Sequence, residues 1–153
     1  MHDGAPMRMM LVAVDGSPRA DGVLAAAVSL AALTRAKIVL FRAVGLPTAI
    51  PSNAWAQSED SLEEQLQHDA ASYLTECAKT IPVELFGGTT VHVGAPWQAI
   101  CAVARQLGVD LVVIGAHGYS GVDHLLGTTA AKIVNHLDRP LLVVRPVPKV
   151  EVE

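Results

Sequence analysis

LVVIGAHGYSGVDHLLGTTAAKIV, residues 111–134, decides the fold. Its first four residues form a continuous apolar run of the kind that parallel sheets bury on both faces. Gly115 ends that run, Gly118 and Gly121 follow in a polar stretch, and Gly127 stands directly before Thr128, where an apolar pattern of helical spacing resumes. A buried strand, a glycine-rich loop and a helix start make up half of a crossover unit. The same alternation extends outward from this stretch in both directions.

Upstream, MMLVAV (residues 9–14) reads as a strand closed by Asp15-Gly16-Ser17-Pro18, a turn in which Ser17 is placed to cap a helix and Pro18 to take its first position. A helix over 19–34 follows. KIVLFRAV (37–44) is a second strand, and GLPTAIPSNAWAQ (45–57) a long irregular loop marked by prolines and glycine. Over 58–80, Leu62, Leu66, Ala70, Leu74 and Cys77 recur at steps of three and four, the stripe of an amphipathic helix. VELFGGTTVHV (83–93) is interrupted by Gly87-Gly88. It is either one bulged strand or a short strand and turn before Thr89, and the later segment is the expected main strand. Trp97, Ile100, Cys101, Ala104 and Leu107 form the next helical stripe, ended by Gly108. Downstream, a helix from Thr128 to about Leu137 leads to a last strand, PLLVVR (140–145).

The pattern is βαβαβαβαβ, which implies an α/β fold: an open parallel sheet with right-handed connections and helices on both faces. The 153 residues suit one domain, and no linker-like composition divides them. The expected boundaries are an N-terminal extension over 1–8, the domain over 9–146 and a tail over 147–153. Apolar residues make up 51% and aromatic residues only 4%, so the core must come from Ala, Val, Leu and Ile. No apolar run approaches the roughly 18 residues of a membrane span, and MHDGAPMR lacks the features of a secretory signal. A soluble protein of cytoplasmic location, without membrane partners, is the expectation. A net charge of −4 with no basic cluster argues against nucleic acid as a partner. Cys77 and Cys101 lack the spacing of a metal or redox pair and read as core residues.

In such a sheet, ligands gather at the carboxyl ends of the strands where connections diverge. The turn after the first strand and the loop after the fourth both reach that rim. A helix start presents amides without partners and the positive end of the helix dipole, which together attract a phosphate. Gly115, Gly118 and Gly127 would let backbone approach such a ligand, and Thr128 or Thr129 would add a hydroxyl. The same residues also suit tight turns with Thr128 as an ordinary cap. Asp15 would accept hydrogen bonds from ribose hydroxyls or approach a metal, or else serve its own turn. No GxxxxGK[ST] or GxGxxG follows the first strand, and Ser17 and Ser120 lack the context of a nucleophile elbow. His92, His117, His124 and His136 show no zinc-site spacing and read as surface histidines, although His117 is placed to hydrogen-bond a phosphate. Trp97 fits core packing; Trp55 falls in the long loop.

The segments LVAVDGS, LFRAV, VGAPWQAI, VVIGAHGYSG, LLGTTAAKIV and RPLLVVRP, in this order and spacing, resemble a universal stress protein domain over nearly the whole chain. The resemblance implies five strands in the order 3-2-1-4-5 and ATP, or another adenine nucleotide with or without Mg2+, between the first and fourth strands. It implies that Asp15 holds the ribose, that Ala13 and Val14 line the nucleoside pocket and that Ala43 offers backbone groups to adenine. Ile114, Gly115, His117 and Gly118 would lie by the ribose and phosphates, and Gly127, Thr128 and Thr129 would bind the phosphates. Nucleotide-binding members commonly have nine residues between the second and third of these glycines; eight stand between Gly118 and Gly127. The resemblance further implies a two-fold dimer through the last strand, Leu141, Leu142, Val143 and Val144, whose apolar edge invites pairing. Pro146 and Pro148 limit pairing by the chain's own tail.

Two functions fit. One is a small stress-response regulator that binds ATP and signals to a protein partner, with at most slow hydrolysis, because no general base or arginine finger is evident. The other is a homodimeric interaction module of the same fold without a nucleotide. A pyrophosphatase or flavodoxin-like carrier would need a phosphate loop after the first strand, which DGSPRAD does not provide.

Overall fold

The computed structural model describes residues 6–45, 59–116 and 126–146. Five parallel strands, β1 (Met9–Ala13), β2 (Lys37–Val44), β3 (Phe86–Val93), β4 (Leu111–Gly115) and β5 (Leu141–Val144), form one sheet in the order β3-β2-β1-β4-β5. The connections contain α1 (Ala20–Thr34), α2 (Glu59–Ala78), α3 (Pro96–Leu107) and α4 (Thr128–His136). A 3-10 turn, Val83–Leu85, precedes β3.

Strand alternation assigns the two faces. Met10 and Val12 of β1, Ile38 and Leu40 of β2, and Leu111 and Val113 of β4 pack with Ala27 and Ala31 of α1 and Leu74 of α2. The intervening Leu11, Val39, Phe41, Val112 and Ile114 pack with Ile100 and Ala104 of α3 and Ile133 of α4. Both faces of the central strands are therefore buried, which is why their sequences read as unbroken apolar runs rather than alternating ones. The alanines of α1 let its axis lie close to the sheet, compensating for the scarcity of aromatic residues.

Since α1 and α2 cover one face and α3 and α4 the other, the chain reverses direction across the sheet between β1 and β4. Right-handed crossovers require this arrangement for the order 3-2-1-4-5. Asp110 fixes the amino end of β1: its Oδ2 accepts the amides of Arg8 (2.8 Å) and Met9 (3.0 Å).

Two local expectations are corrected. Ser17 does not cap α1; the cap position is Arg19, with no side-chain cap hydrogen bond, and the Ser17 amide instead donates to Asp15 Oδ1 at 2.9 Å. The carboxylate two residues upstream captures the turn and delays the helix to Ala20, so Pro18 lies before it. The segment after Gly88, Thr89–Val93, is the longer part of β3, as expected, and of the two readings left open the bulged strand is the one found. The strand starts at Phe86 and runs through both glycines, with register passing from Ile38↔Phe86 to Val39↔Gly88. Gly87 is thus the extra residue of a bulge. Finally, the cap of α4 is Gly127 and not Thr128. As expected, Gly108 closes α3 in the left-handed region (φ 64).

Candidate functional site

β1 is shorter at its carboxyl end than its neighbours. Its last bond to β2 is Val14 N–H to the Phe41 carbonyl (3.0 Å), while β2 continues to Val44. On the other side, pairing with β4 stops at Val12↔Val113, while β4 continues to Gly115. In a parallel ladder the N–H and C=O of alternate residues face the same neighbour. The backbone of Ala43 therefore faces the β1 side two residues beyond the bonded Phe41, where β1 has already turned away. The result is a notch in the rim at the point where the connections diverge.

A cavity of about 970 Å³ occupies this notch. Of the residues expected at a site, Ala13, Val14, Asp15, Ala43, Ile114, Gly115 and Thr129 all line it. Gly127 and Thr128 are not part of the lining but immediately precede Thr129. His117 and Gly118 lie outside the described residues, as do Gly121, Ser120, His124 and Trp55.

The start of α4 is held to the end of β4. Ala116 N–H donates to the Val144 carbonyl (2.9 Å), and Gly127 N–H donates to the Ala116 carbonyl (2.8 Å). The first intrahelical bond runs from Ala131 N–H to the Gly127 carbonyl (2.9 Å). The amides of Thr128, Thr129 and Ala130 thus precede any intrahelical partner, and Gly127 has no side chain to cap them. Asp15, exposed and with Oδ1 accepting the Ser17 amide, lines the same cavity as Thr129 and Ala130. An anion donor set and a carboxylate acceptor thus face one crevice.

Arginines on the cavity wall were not legible as site residues. Arg19, Arg42 and Arg145 line it, with Asp69 of α2. The Arg42 guanidinium lies over the Tyr73 ring, 4.6 Å from its centroid. Gly16 (φ 79) passes so close that a Cβ there would stand 2.7 Å from Arg42 Nη1. The only sequence signal was position: Arg42 interrupts an apolar strand near its carboxyl end. Burial first, then a hydrogen bond to Cys77, pushes the Tyr73 phenol up to about 12, while Arg42 draws it down.

The remaining candidates have structural roles. The His92 ring stacks on Phe41 (6.0 Å between centroids), and His136 packs against Trp97 (4.6 Å) with Nδ1 2.8 Å from the Lys132 carbonyl. Cys77 and Cys101 are buried free thiols. Among the described residues, no group of three or more His, Cys, Asp or Glu could hold a metal ion, and no helix is long and apolar enough to cross a membrane.

Comparison with known proteins agrees with this fold. The family model described as "Universal stress protein family" matches residues 7–145. Universal stress protein A homolog 1 of Coxiella burnetii is 30% identical over 133 residues, 82% of this chain and 88% of that protein. The solved structure of MJ0577, a universal stress protein of Methanocaldococcus jannaschii, superposes with a TM-score of 0.80 at 21% identity, covering 95% of this chain and 100% of the other. A universal stress protein solved in complex with cAMP superposes with a TM-score of 0.61 at 23% identity, covering 92% of this chain and 98% of the other.

Proposed function

The chain belongs to the universal stress protein family, and from that premise we propose that it is a small stress-response regulator that binds ATP or another adenine nucleotide in the notch beside β1. The observation that carries the reading is that Asp15 and the start of α4, which has no side-chain cap, line one cavity of about 970 Å³. That volume is at the upper end of small-molecule sites, roughly 300–1,000 Å³. Asp15 would accept the ribose hydroxyls, and the Ala43 backbone would meet the base. Phosphates would lie on the amides of Thr128, Thr129 and Ala130, with a threonine hydroxyl beside them. The cAMP complex of a related fold supports the ligand class. A Mg2+ ion would arrive with the phosphates, since among the described residues Asp15 and Asp69 are the carboxylates that line the cavity and no group of three metal-binding side chains is present. In this reading His117 and Gly118 complete the phosphate end, the output is a change in loop order or dimer geometry sensed by a protein partner, and hydrolysis is slow.

The shorter glycine loop does not weaken this reading, because the bond between Gly127 and Ala116 fixes where α4 begins whatever the loop's length. A dimer through β5 belongs to the same proposal. Freshly purified protein, denatured and analysed by mass spectrometry, is expected to release an adenine nucleotide, and Gly127→Leu is expected to lose it. Gly127 has φ −60, so that variant retains an allowed backbone. Retention of the nucleotide by the variant would move the site elsewhere, and absence of any nucleotide on addition of ATP would leave the homodimeric interaction module as the function.

A further inference from the structure

We infer that Arg42 and Ser17 form a second anion subsite beside Asp15, so that the preferred ligand is an adenine nucleotide carrying a phosphate on its ribose 2′ or 3′ oxygen as well as at the 5′ end. This inference rests on the nucleotide reading above and specifies the ligand class of the same cavity.

Hydrogen-bonding inventory carries it. A plain ribose edge presents two hydroxyls, whose needs Asp15 alone can meet by accepting. Yet the wall beside Asp15 is rich in donors. The half-buried Arg42 guanidinium is held over Tyr73 and against Gly16, and forms no ion pair with any described residue. Ser17, which lines the same cavity, has a hydroxyl sequestered from solvent and without a partner among the described residues. A guanidinium partly removed from water, and a sequestered hydroxyl, are both costly without an acceptor. Guanidinium also matches phosphate in a bidentate geometry.

Position selects the 2′ or 3′ oxygen. Thr129 and Ala130 at the start of α4, and Asp15, Ser17 and Arg42, line the same cavity, and Arg42 lies against Gly16, the residue that follows Asp15. Ribose oxygens held by Asp15 would therefore lie near Arg42, and a phosphate carried on the 2′ or 3′ oxygen would come within the reach of its guanidinium. Phosphate at that edge would be repelled by Asp15 alone; Arg42 supplies the compensating charge. Rigidity favours the role as well, since stacking on Tyr73 and contact with Gly16 restrict the guanidinium before any ligand arrives.

The test uses ADP and adenosine 3′,5′-bisphosphate, isomers of equal composition, with adenosine 2′,5′-bisphosphate and AMP as references, titrated calorimetrically into nucleotide-free protein. The bisphosphates are expected to bind on the order of tenfold more tightly than AMP. Arg42→Gln is expected to lower the affinity ratio of the preferred bisphosphate to ADP by a similar factor, and Arg42→Lys to restore part of it. Ser17→Ala, which leaves Arg42 in place, is expected to reduce the ratio by a smaller factor and provides the reading if Arg42→Gln does not fold. Equal binding of AMP and both bisphosphates, or a ratio unchanged in these variants, overturns the inference while leaving the nucleotide reading intact. Failure of all four nucleotides, and of ATP titrated alongside them, to bind overturns the nucleotide reading and this inference with it.

Discussion

The amide of Gly127 donates to the carbonyl of Ala116 at 2.8 Å, so the chain that leaves β4 returns to its point of departure before α4 starts. Ten residues, 117–126, lie between the two ends of that bond. Adding one glycine after Ser120 would restore the family's common spacing. Loop closure grows only logarithmically with length, and the change amounts to about 0.1 kcal/mol. Urea denaturation of the insertion variant should therefore give a midpoint indistinguishable from that of the parent protein. A loss of more than about 1 kcal/mol would mean that the loop's length, and not the closing bond, sets the start of α4.

Gly16 has a positive φ of 79, and a side chain there would have to displace the end of the Arg42 side chain, whose Nη1 would stand 2.7 Å from the added Cβ. Gly16→Ala combines backbone strain with a steric conflict and should cost about 1–2 kcal/mol in denaturant unfolding. Arg42→Ala removes the conflict but not the strain. The double variant should accordingly be less destabilised than the sum of the singles. Additive losses would show that the two residues do not touch.

The Tyr73 phenol, raised to about 12, ionises above the ordinary range near 10. Because the folded value exceeds the unfolded one, the stabilisation it contributes is fully present below about pH 10. It is lost as pH rises through the folded value. In a Tyr119→Phe background, phenolate absorbance should report this late titration, and Arg42→Gln should move it further upward by removing a favourable charge. A downward movement would contradict the placement of Arg42 over the ring.

Along β5, the carbonyls of Pro140 and Val144 face β4, accepting Val112 and Ala116 amides. Alternation then turns the backbone of Leu141 and Val143 toward the open edge. Val143→Pro removes an outward N–H without touching the ladder to β4, and proline is tolerated on edge strands. If the protein pairs through this edge, sedimentation should show a dimer that this variant converts to a folded monomer. A dimer that survives the substitution must use another surface.

Much of this architecture was legible in the sequence because long-range burial leaves a local trace. Leu111 to Ile114 and Ile38 to Phe41 are apolar without alternation, which only a sheet covered on both faces explains, and Gly108 marked the end of α3 at the residue found there. The misread details depend on competition between near neighbours. Asp15 outcompetes the helix for the Ser17 amide. At Gly87-Gly88 the sequence left a bulge and a turn both open, because the partner strand that settles it is distant in the chain. The notch was foreseeable from the strand order, but its arginine wall was not. Arg42 meets Gly16 across 26 positions of sequence, and nothing local to either residue announces the contact.

The central claim is that Asp15 and the start of α4 act on one adenine nucleotide. Isothermal titration of ATP into nucleotide-free protein measures it directly when repeated with Asp15→Ala and Gly127→Leu, each checked for an unchanged fold by circular dichroism. The account predicts one site per chain, with affinity reduced at least tenfold by either substitution. Saturable ATP binding that neither substitution weakens would contradict it.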